Sequence, residues 1–388
     1  VSRRFAPTAL MLGNFVTGTS VLAPAGMLLE LSDGLGVSVR DAGLLITFGA
    51  VVLCIGSPLT AWLTSRIDRR LLLATTLLVL ALGNLGSALA PNYTVLLVLR
   101  LAMLAIGALY TPQAAGAAAL IVPIEKRGGT MAYVFLGWSL AVAVGVPLIT
   151  FAAGHFGWRA PFAGIGVLGL ISFALLWVRL PGGLRAAPVD VSTWVAVGRS
   201  RRILKLLGVS VLQTSAQFVV FTYFGPLLTG LTGAGPAAIG LVFATYGVCG
   251  FVGSVIASRI VDGWGSYKTS ALFTSLMLAG IAGWSFGAGH FLVMASAVAV
   301  WGLGFAAANS MQQVRLVTAG PALAGATVSL NTSVLYLGQA VGSAIGGVLF
   351  AAGLLHTAGY VSTAVMTCAL LAVVLATRDP PPRATGPA

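Results

Sequence analysis

The feature that most limits what this chain can become is a recurrence. Apolar runs of about twenty residues or more, each ended by charge, proline or glycine, follow one another along the whole sequence. A helix needs about 20 apolar residues to cross the roughly 30 Å hydrocarbon layer, and lipid leaves no other way to satisfy the backbone short of a closed barrel. The runs lie near 7–31, 42–63, 71–90, 94–115, 131–152 and 160–180, then near 206–229, 237–257, 268–288, 291–313, 326–353 and 357–376. The longest polar stretch, 181–205, separates the two sets. This predicts an all-α membrane protein of about twelve transmembrane helices. Two pseudo-symmetric six-helix bundles, 1–180 and 206–377, are joined by a cytoplasmic linker, 181–205, and followed by a short cytoplasmic tail, 378–388.

Composition agrees. Hydrophobic residues make up 58% of the 388 and charged residues 7%, against roughly 45–50% and 25% in soluble domains. No water-facing surface can be built from that mixture, which argues against a soluble enzyme. The apolar run after Arg3 and Arg4 extends to about Leu31, longer than the roughly 7–15 residues of a secretory signal's core, and reads as an uncleaved first span. Cys54, Cys249 and Cys368 each stand alone in an apolar run, so packing thiols are expected, with no metal and no cofactor.

The formal charge of +13 has a one-sided distribution. With a cytoplasmic N-terminus, the inner segments hold Arg3, Arg4, Arg66, Arg69, Arg70, Lys126, Arg127, Arg179, Arg185, Arg199, Arg201, Arg202, Lys205, Arg259, Lys268, Arg315, Arg378 and Arg383. The outer segments hold only Arg40 and Arg159, and Arg100 falls inside a span. Positively charged loops resist translocation, so both termini are expected in the cytoplasm of a bacterial cell membrane. Spread over seven inner segments without interleaved aromatics, the charge forms no nucleic-acid surface.

Ser65-Arg66-Ile67-Asp68 after the second span recurs as Ser258-Arg259-Ile260-Val261-Asp262, 193 residues further on, after the eighth. An echo at equivalent loops points to two related halves, with a substrate site near the bilayer midplane between them.

These residues resemble the major facilitator superfamily, and within it the twelve-span drug:proton antiporter branch that includes sugar-efflux and chloramphenicol-efflux proteins. Ser65-Arg66-Ile67-Asp68-Arg69-Arg70 is similar to the family's loop signature after the second span, with Ser65 where the family has Asp and Ala61 where it has Gly. The resemblance implies a charged latch between helix ends, formed in one rocking state and broken in the other, with Arg259 and Asp262 as its counterpart; plain positive-inside anchoring accounts for the same charges. Leu120-Ile121-Val122-Pro123 with Glu125-Lys126-Arg127-Gly128, and Gly157-Trp158-Arg159 with Phe162, match further family markers. Gly137, Ala141 and Gly145-Val146-Pro147 in the fifth span look like the antiporter signature of exporters. Small residues at helical spacing let helices approach, and Pro147 bends the helix; mere packing would use them equally well. Gly338, Gly342 and Gly346 give the eleventh span a smooth face for close crossing.

Arg100 lies about six residues inside the fourth span. A guanidinium at that depth is costly and marks function unless it snorkels to the outer interface. The family carries an Arg in its fourth span followed four positions later by Gly, where this chain has Leu104. None of the eight acidic residues falls mid-span, so Glu30, at the end of the first span, is the candidate partner of Arg100. Where relatives carry a first-span acid, Ser20 and Val21 stand here. Glu30, Asp33 and Arg100 are therefore the candidates for proton coupling, with an uncoupled facilitator as the alternative.

In this superfamily spans 1, 4, 7 and 10 line the cavity. The resemblance thus nominates Asn14 and Thr17; Arg100, Tyr110 and Gln113; Gln213, Gln217 and Phe221; and Trp301, Phe305, Asn309 and Gln312. An apolar pocket with a few orienting polar groups is the usual composition of a small-molecule site; interhelical hydrogen bonding would use any one of these residues as well. Asn331, Tyr336 and Gln339 are weaker candidates, and His155, His290 and His356 read as solvated loop residues. A cavity with an Arg and no acid disfavours cations, so neutral or anionic amphipathic compounds are expected. The reading is a secondary active transporter, functional as a monomer in lipid, expected to export such a compound by alternating access as a proton antiporter with a drug-resistance role. An importer or uncoupled facilitator of a polar metabolite is the alternative. A membrane-embedded enzyme would need His-Glu-x-x-His, paired intramembrane Asp or a phosphate loop, and a channel would need charged rings; the chain has none of them.

Overall fold

The computed structural model describes residues 5–64, 67–123, 127–185, 191–320 and 323–376. Among these there is no strand. Ten helices are long and apolar enough to cross a membrane, and the bent pair Ala6–Gly26 and Leu28–Leu35, turned by 65°, adds an eleventh crossing. One of the ten, Pro236–Phe286, is 51 residues long and breaks at Gly265, whose φ of 79° only glycine adopts freely. At 1.5 Å per residue its length is about 75 Å, more than two bilayer cores. It is two successive crossings, 236–264 and 266–286, which completes twelve.

The crossings differ from the sequence expectation in their interiors. The first comprises Ala6–Leu22, a tight turn over Ala23–Gly26, and Leu28–Leu35. The second and third are Val39–Leu63 and Arg69–Ala88. The fourth divides into Tyr93–Gly107 and Tyr110–Leu120. The fifth runs as Arg127–Leu140, a π-helical turn Ala141–Gly145, and Val146–Phe156; the sixth is Arg159–Arg179. The seventh divides into Arg201–Phe221 and Phe224–Thr232. The tenth, eleventh and twelfth are Phe291–Ala319, Ala324–Ala351 and Leu355–Leu375.

Each interrupted crossing carries a proline at or just after its break: Pro24, Pro112, Pro147 and Pro226. Proline has no N–H and clashes with the carbonyl four residues earlier, so the helix tightens, widens or bends there. Two boundary expectations are corrected. The linker ends before 205, because the seventh crossing begins at Arg201, and it contains a short helix, Val191–Arg199. The loop expected around Arg259 and Asp262 is helical, the turn being confined to Gly265.

One end of the molecule gathers the described connecting residues 67–68, 180–185, 200 and 320, and is called the linker face. The far face carries those near 36–38, 89–92, 157–158, 233–235 and 287–290. The two sets of six meet along two seams: the second crossing lies against the eleventh, and the fifth against the eighth. His155, His290 and His356 are exposed at the far face.

Glycine decides how closely helices cross. A Cβ built on Gly338, Gly342 or Gly346 would overlap the carbonyl oxygens of Val211, Ser215 and Val219 respectively. The eleventh crossing therefore lies backbone to backbone on the seventh, the close crossing expected from this four-residue repeat. Gly342→Val should lower thermal stability by about 1–3 kcal/mol through overpacking. Gly116→Ala, at a helical glycine with nothing within 4 Å, should leave the melting temperature unchanged in the same detergent.

Candidate functional site

Proline chemistry leads directly to Arg100. In an unbroken helix the Ser20 carbonyl would accept from the N–H of residue 24, but Pro24 has none. The Arg100 Nη2 donates to that carbonyl at 2.7 Å. The guanidinium is fully buried and lies 5.2 Å from the Phe162 ring. Asn84 ties the same residue from another side, its Nδ2 donating to Ser20 Oγ at 3.0 Å. Beyond the break, Thr150 Oγ1 of the fifth crossing donates to the Gly26 carbonyl at 2.8 Å. The bend in the first crossing is thus held by side chains from the third, fourth and fifth.

The snorkelling alternative for Arg100 is excluded, since none of it is exposed, and one expectation is corrected. Arg100 does not pair with Glu30: its Nε and Nη1 have no partner, and Glu30 sits at the seam with the other half, its Oε1 3.9 Å from the position of a Cβ on Gly154. Spacing along the chain put both residues toward one face, but the bend turns Leu28–Leu35 away. Asp33 is exposed on the same short helix.

The other candidates of the first and fourth crossings are committed to one another. Asn14 Nδ2 donates to the Val134 carbonyl at 3.0 Å, and its Oδ1 accepts from Thr111 Oγ1 at 2.7 Å. Trp138 Nε1 donates to Thr111 Oγ1 at 3.0 Å. The Tyr110 hydroxyl donates to the Leu10 carbonyl at 3.2 Å, and Thr17 bonds its own helix at Gly13. Gln113, two residues beyond Thr111, is buried. The antiporter signature packs on this group. A Cβ on Gly137 would overlap the Met11 carbonyl, one on Gly145 would meet Thr19, and Gly18 faces Ala141. Pro147 follows the π turn, and Gly247 of the eighth crossing lies on Ala143, four residues before it.

The seventh and tenth crossings are different. Gln213 Nε2 donates to Thr274 Oγ1 at 2.7 Å, and Gln312 bridges the Leu206 carbonyl and the Arg315 guanidinium at 3.0 and 2.8 Å. Between these ends, Gln217 Oε1, the Tyr246 hydroxyl, Trp301 Nε1 and Asn309 Oδ1 are shielded without a partner among the described residues. Aromatic rings pack around Tyr246 and Trp301. Tyr246 lies 5.3 Å from Trp301 and 5.4 Å from Phe305, and Phe221 lies 5.3 Å from Tyr246. Phe305 and Asn309 are half-buried, so this wall is open at one edge.

The seam near the far face is closed by a tyrosine. The Tyr223 hydroxyl fills the space that a Cβ on Gly43 of the second crossing or Gly347 of the eleventh would take. Beside it Thr47 Oγ1 donates to Ser343 Oγ at 2.8 Å across the halves.

Residues 10–313 match the family model described as Major Facilitator Superfamily. The chain belongs to the major facilitator superfamily. Among its curated relatives, the "Inner membrane transport protein YdhP" of Escherichia coli (strain K12) is 32% identical over 378 residues, 96% of each chain. The "Probable sugar efflux transporter" of Mannheimia succiniciproducens is 25% identical over 370 residues, 93% of this chain and 91% of that one. A crystal structure titled D-xylose-proton symporter shares the fold, with a TM-score of 0.79 at 17% identity over 98% of this chain and 99% of that one. The protein is a multi-pass membrane transporter of small substrates.

At the transporter's linker face, Asp68 caps the third crossing, its Oδ1 accepting from the N–H groups of Arg70 and Leu71 at 3.0 and 3.2 Å. Its Oδ2 accepts from the Gly183 N–H at 2.5 Å, and the Arg69 N–H donates to the Leu184 carbonyl at 2.9 Å. The Arg70 guanidinium lies 4.5 Å over the Trp177 ring, while the Arg69 side chain is buried with two unpartnered nitrogens. These contacts join the loop to the end of the sixth crossing, within one half. Ser65 and Arg66 lie outside the described residues. Arg259 and Asp262 are exposed and form no ion pair among the described residues.

Sequence reasoning did not single out Ser20 and Pro24 as the receptor of Arg100, nor Thr111, Trp138, Tyr223 and Tyr246. A signal existed for the first pair, since a proline four residues after a carbonyl always frees it. Arg100→Ala should destabilise the protein, and adding Pro24→Ala, which restores an N–H, should recover part of the loss. A double-mutant cycle by thermal unfolding should return a coupling of about 1 kcal/mol; independent effects would break the link. Asp68→Ala should cost about 1 kcal/mol by the same measurement.

Proposed function

We propose that this transporter exports a small neutral or anionic organic compound by alternating access, coupled to protons. The observation that carries the reading is the group of shielded, unpartnered polar atoms on Gln217, Tyr246, Trp301 and Asn309, set in an aromatic wall open at one edge. Buried polar groups are normally paired, and such exceptions call for an explanation. A ligand that presents a flat apolar surface and two or three hydrogen-bonding groups supplies the missing partners.

The charge of the region argues for the class of compound. Arg100 carries an uncompensated positive charge within the bundle of the first six crossings, and acids are absent from the described mid-depth residues. A cation at mid-depth meets that repulsion without a counter-charge at the same depth. Glu30 is the carboxylate set between the halves, which makes it the coupling group in preference to exposed Asp33. We assign Arg100 a positioning role at the bend of the first crossing.

Export is supported by the signature around Gly137–Pro147 and by the printed name of the Mannheimia relative. The linker face is assigned to the cytoplasm from the basic residues gathered there, with both termini on that side. Tyr223 at the seam near the far face supports loading from the cytoplasm.

Expression in an efflux-deficient bacterial host should lower accumulation of a neutral or anionic aromatic compound found by sensitivity screening, and a proton uncoupler should abolish the effect. Gln217→Leu and Asn309→Leu should each reduce transport about 10-fold at unchanged protein level, the equivalent of one lost hydrogen bond to a shielded group. Raised accumulation on expression would reverse the direction, and selective export of quaternary ammonium dyes would overturn the charge argument.

A further inference from the structure

Away from the aromatic wall, a pocket of about 260 Å³ lies between the halves toward the far face. Gly26 and Glu30 of the first crossing and Thr150 of the fifth form one side. Pro226 and Thr229 of the seventh and Pro236 of the eighth form the other. At its edge the halves touch, a Cβ on Gly154 falling 2.9 Å from Pro236 Cβ. Both threonine hydroxyls are spent on the backbone, Thr150 on the Gly26 carbonyl and Thr229 on the Ala234 carbonyl at 2.9 Å. The Glu30 carboxylate is the one ionisable group among the lining residues. No cation pairs with it among the described residues, and Asp33 adds a second negative charge three residues on.

This combination is specific in charge and size. An apolar pocket with a single carboxylate, reinforced by a neighbouring acid, selects a cation. At about 260 Å³ it falls below the roughly 300–1,000 Å³ of drug-sized sites, so the occupant is compact. Because the walls come from both halves, the pocket is complete only while the halves meet at this end. A ligand that needs both walls stabilises that arrangement in proportion to its occupancy.

We propose that this pocket is an inhibitory site for a compact primary amine on a short apolar body, whose ammonium sits on Glu30 and which holds the two halves together toward the far face. The amine is not carried, since it binds away from the aromatic wall. Its inhibitory effect rests on the alternating-access reading, whereas its binding does not.

The test uses the purified full chain in detergent, with benzylamine as probe and benzyl alcohol as its neutral counterpart. Benzylamine should raise the unfolding midpoint and benzyl alcohol should not. Glu30→Gln should weaken binding at least about tenfold, the usual penalty for removing the partner of a shielded charge. Gly225→Leu, placing side-chain volume in the pocket from a position with no neighbour nearer than 3.7 Å, should weaken it while leaving the unliganded midpoint near that of the parent. Equal shifts from amine and alcohol, or full retention in Glu30→Gln, would overturn the site.

A second measurement reads the state. In a background with Cys54→Ser, Cys249→Ser and Cys368→Ser, the pair Thr47→Cys and Ser343→Cys should form a disulfide faster with benzylamine present. Binding without faster crosslinking would overturn the inhibitory role. A protein that binds benzylamine through Glu30 yet fails the export screen would lose the export reading alone.

Discussion

Every carbonyl freed inside a membrane helix must find a donor in the protein, because hydrocarbon offers none. In this chain that requirement is sharpest at Ser20, where Pro24 withholds the N–H of the next turn and Arg100 replaces it from the fourth crossing at 2.7 Å. A guanidinium at depth is expensive, and a charged donor to a neutral carbonyl recovers only part of the cost. What the pairing adds is position. A bend of 65° is fixed at one place, with Asn84 and Thr150 holding either side of it. The short helix Leu28–Leu35 is thereby aimed at the seam between the halves, and Glu30 goes with it. The pocket near the far face follows from a proline and an arginine separated by 76 positions.

The second constraint is close approach. Without a hydrophobic drive between helices in lipid, packing contact has to hold the bundle. Glycine supplies it where Gly338, Gly342 and Gly346 admit the seventh crossing, and where Gly137 and Gly145 admit the first. At the seams the same device has another consequence. Tyr223 reaches across the far-face seam only because Gly43 and Gly347 leave room for its ring. A contact made of one large side chain in a slot has two discrete arrangements, seated or withdrawn, which suits a rocking interface better than a continuously deformable one.

How much of this could be read from the chain alone depends on range. The apolar runs and the one-sided basic residues gave the membrane class and, within a few residues, all twelve crossings, because bilayer thickness is a strong and local constraint. The interiors were less legible. Pro147 announced a bend, but Pro24 was not read as one, and a proline does not tell how far it turns the following segment, so Glu30 was paired with Arg100 by height alone. The turn at Gly265 lies between the runs 237–257 and 268–288, as expected, but the helix continues through Arg259 and Asp262 almost to it, and the left-handed φ of that glycine marks the corner. Around the candidate site, polar residues at helical spacing were visible, yet spacing does not reveal whether Asn14 bonds Val134 or a ligand. That depends on which neighbour the fold brings within 3 Å.

The difference between the two halves has its own implication. In the first, Asn14, Thr111, Trp138 and Tyr110 satisfy one another, and Arg100 gives its Nη2 to Ser20 while its Nε and Nη1 stay unpaired. In the second, Gln217, Tyr246, Trp301 and Asn309 keep polar atoms unspent inside an aromatic wall. Satisfied networks rigidify, and unsatisfied ones are costly until something pairs with them. The same fold, repeated twice, can therefore place its stiffness in one copy and its recognition in the other. A ligand held mainly by the second half would then move with that half, and closure of the seams would depend on the stiff first half meeting it. The energetic cost of the unpaired atoms becomes useful in such an arrangement, because a bound compound relieves it and so favours the loaded form of the half that must move.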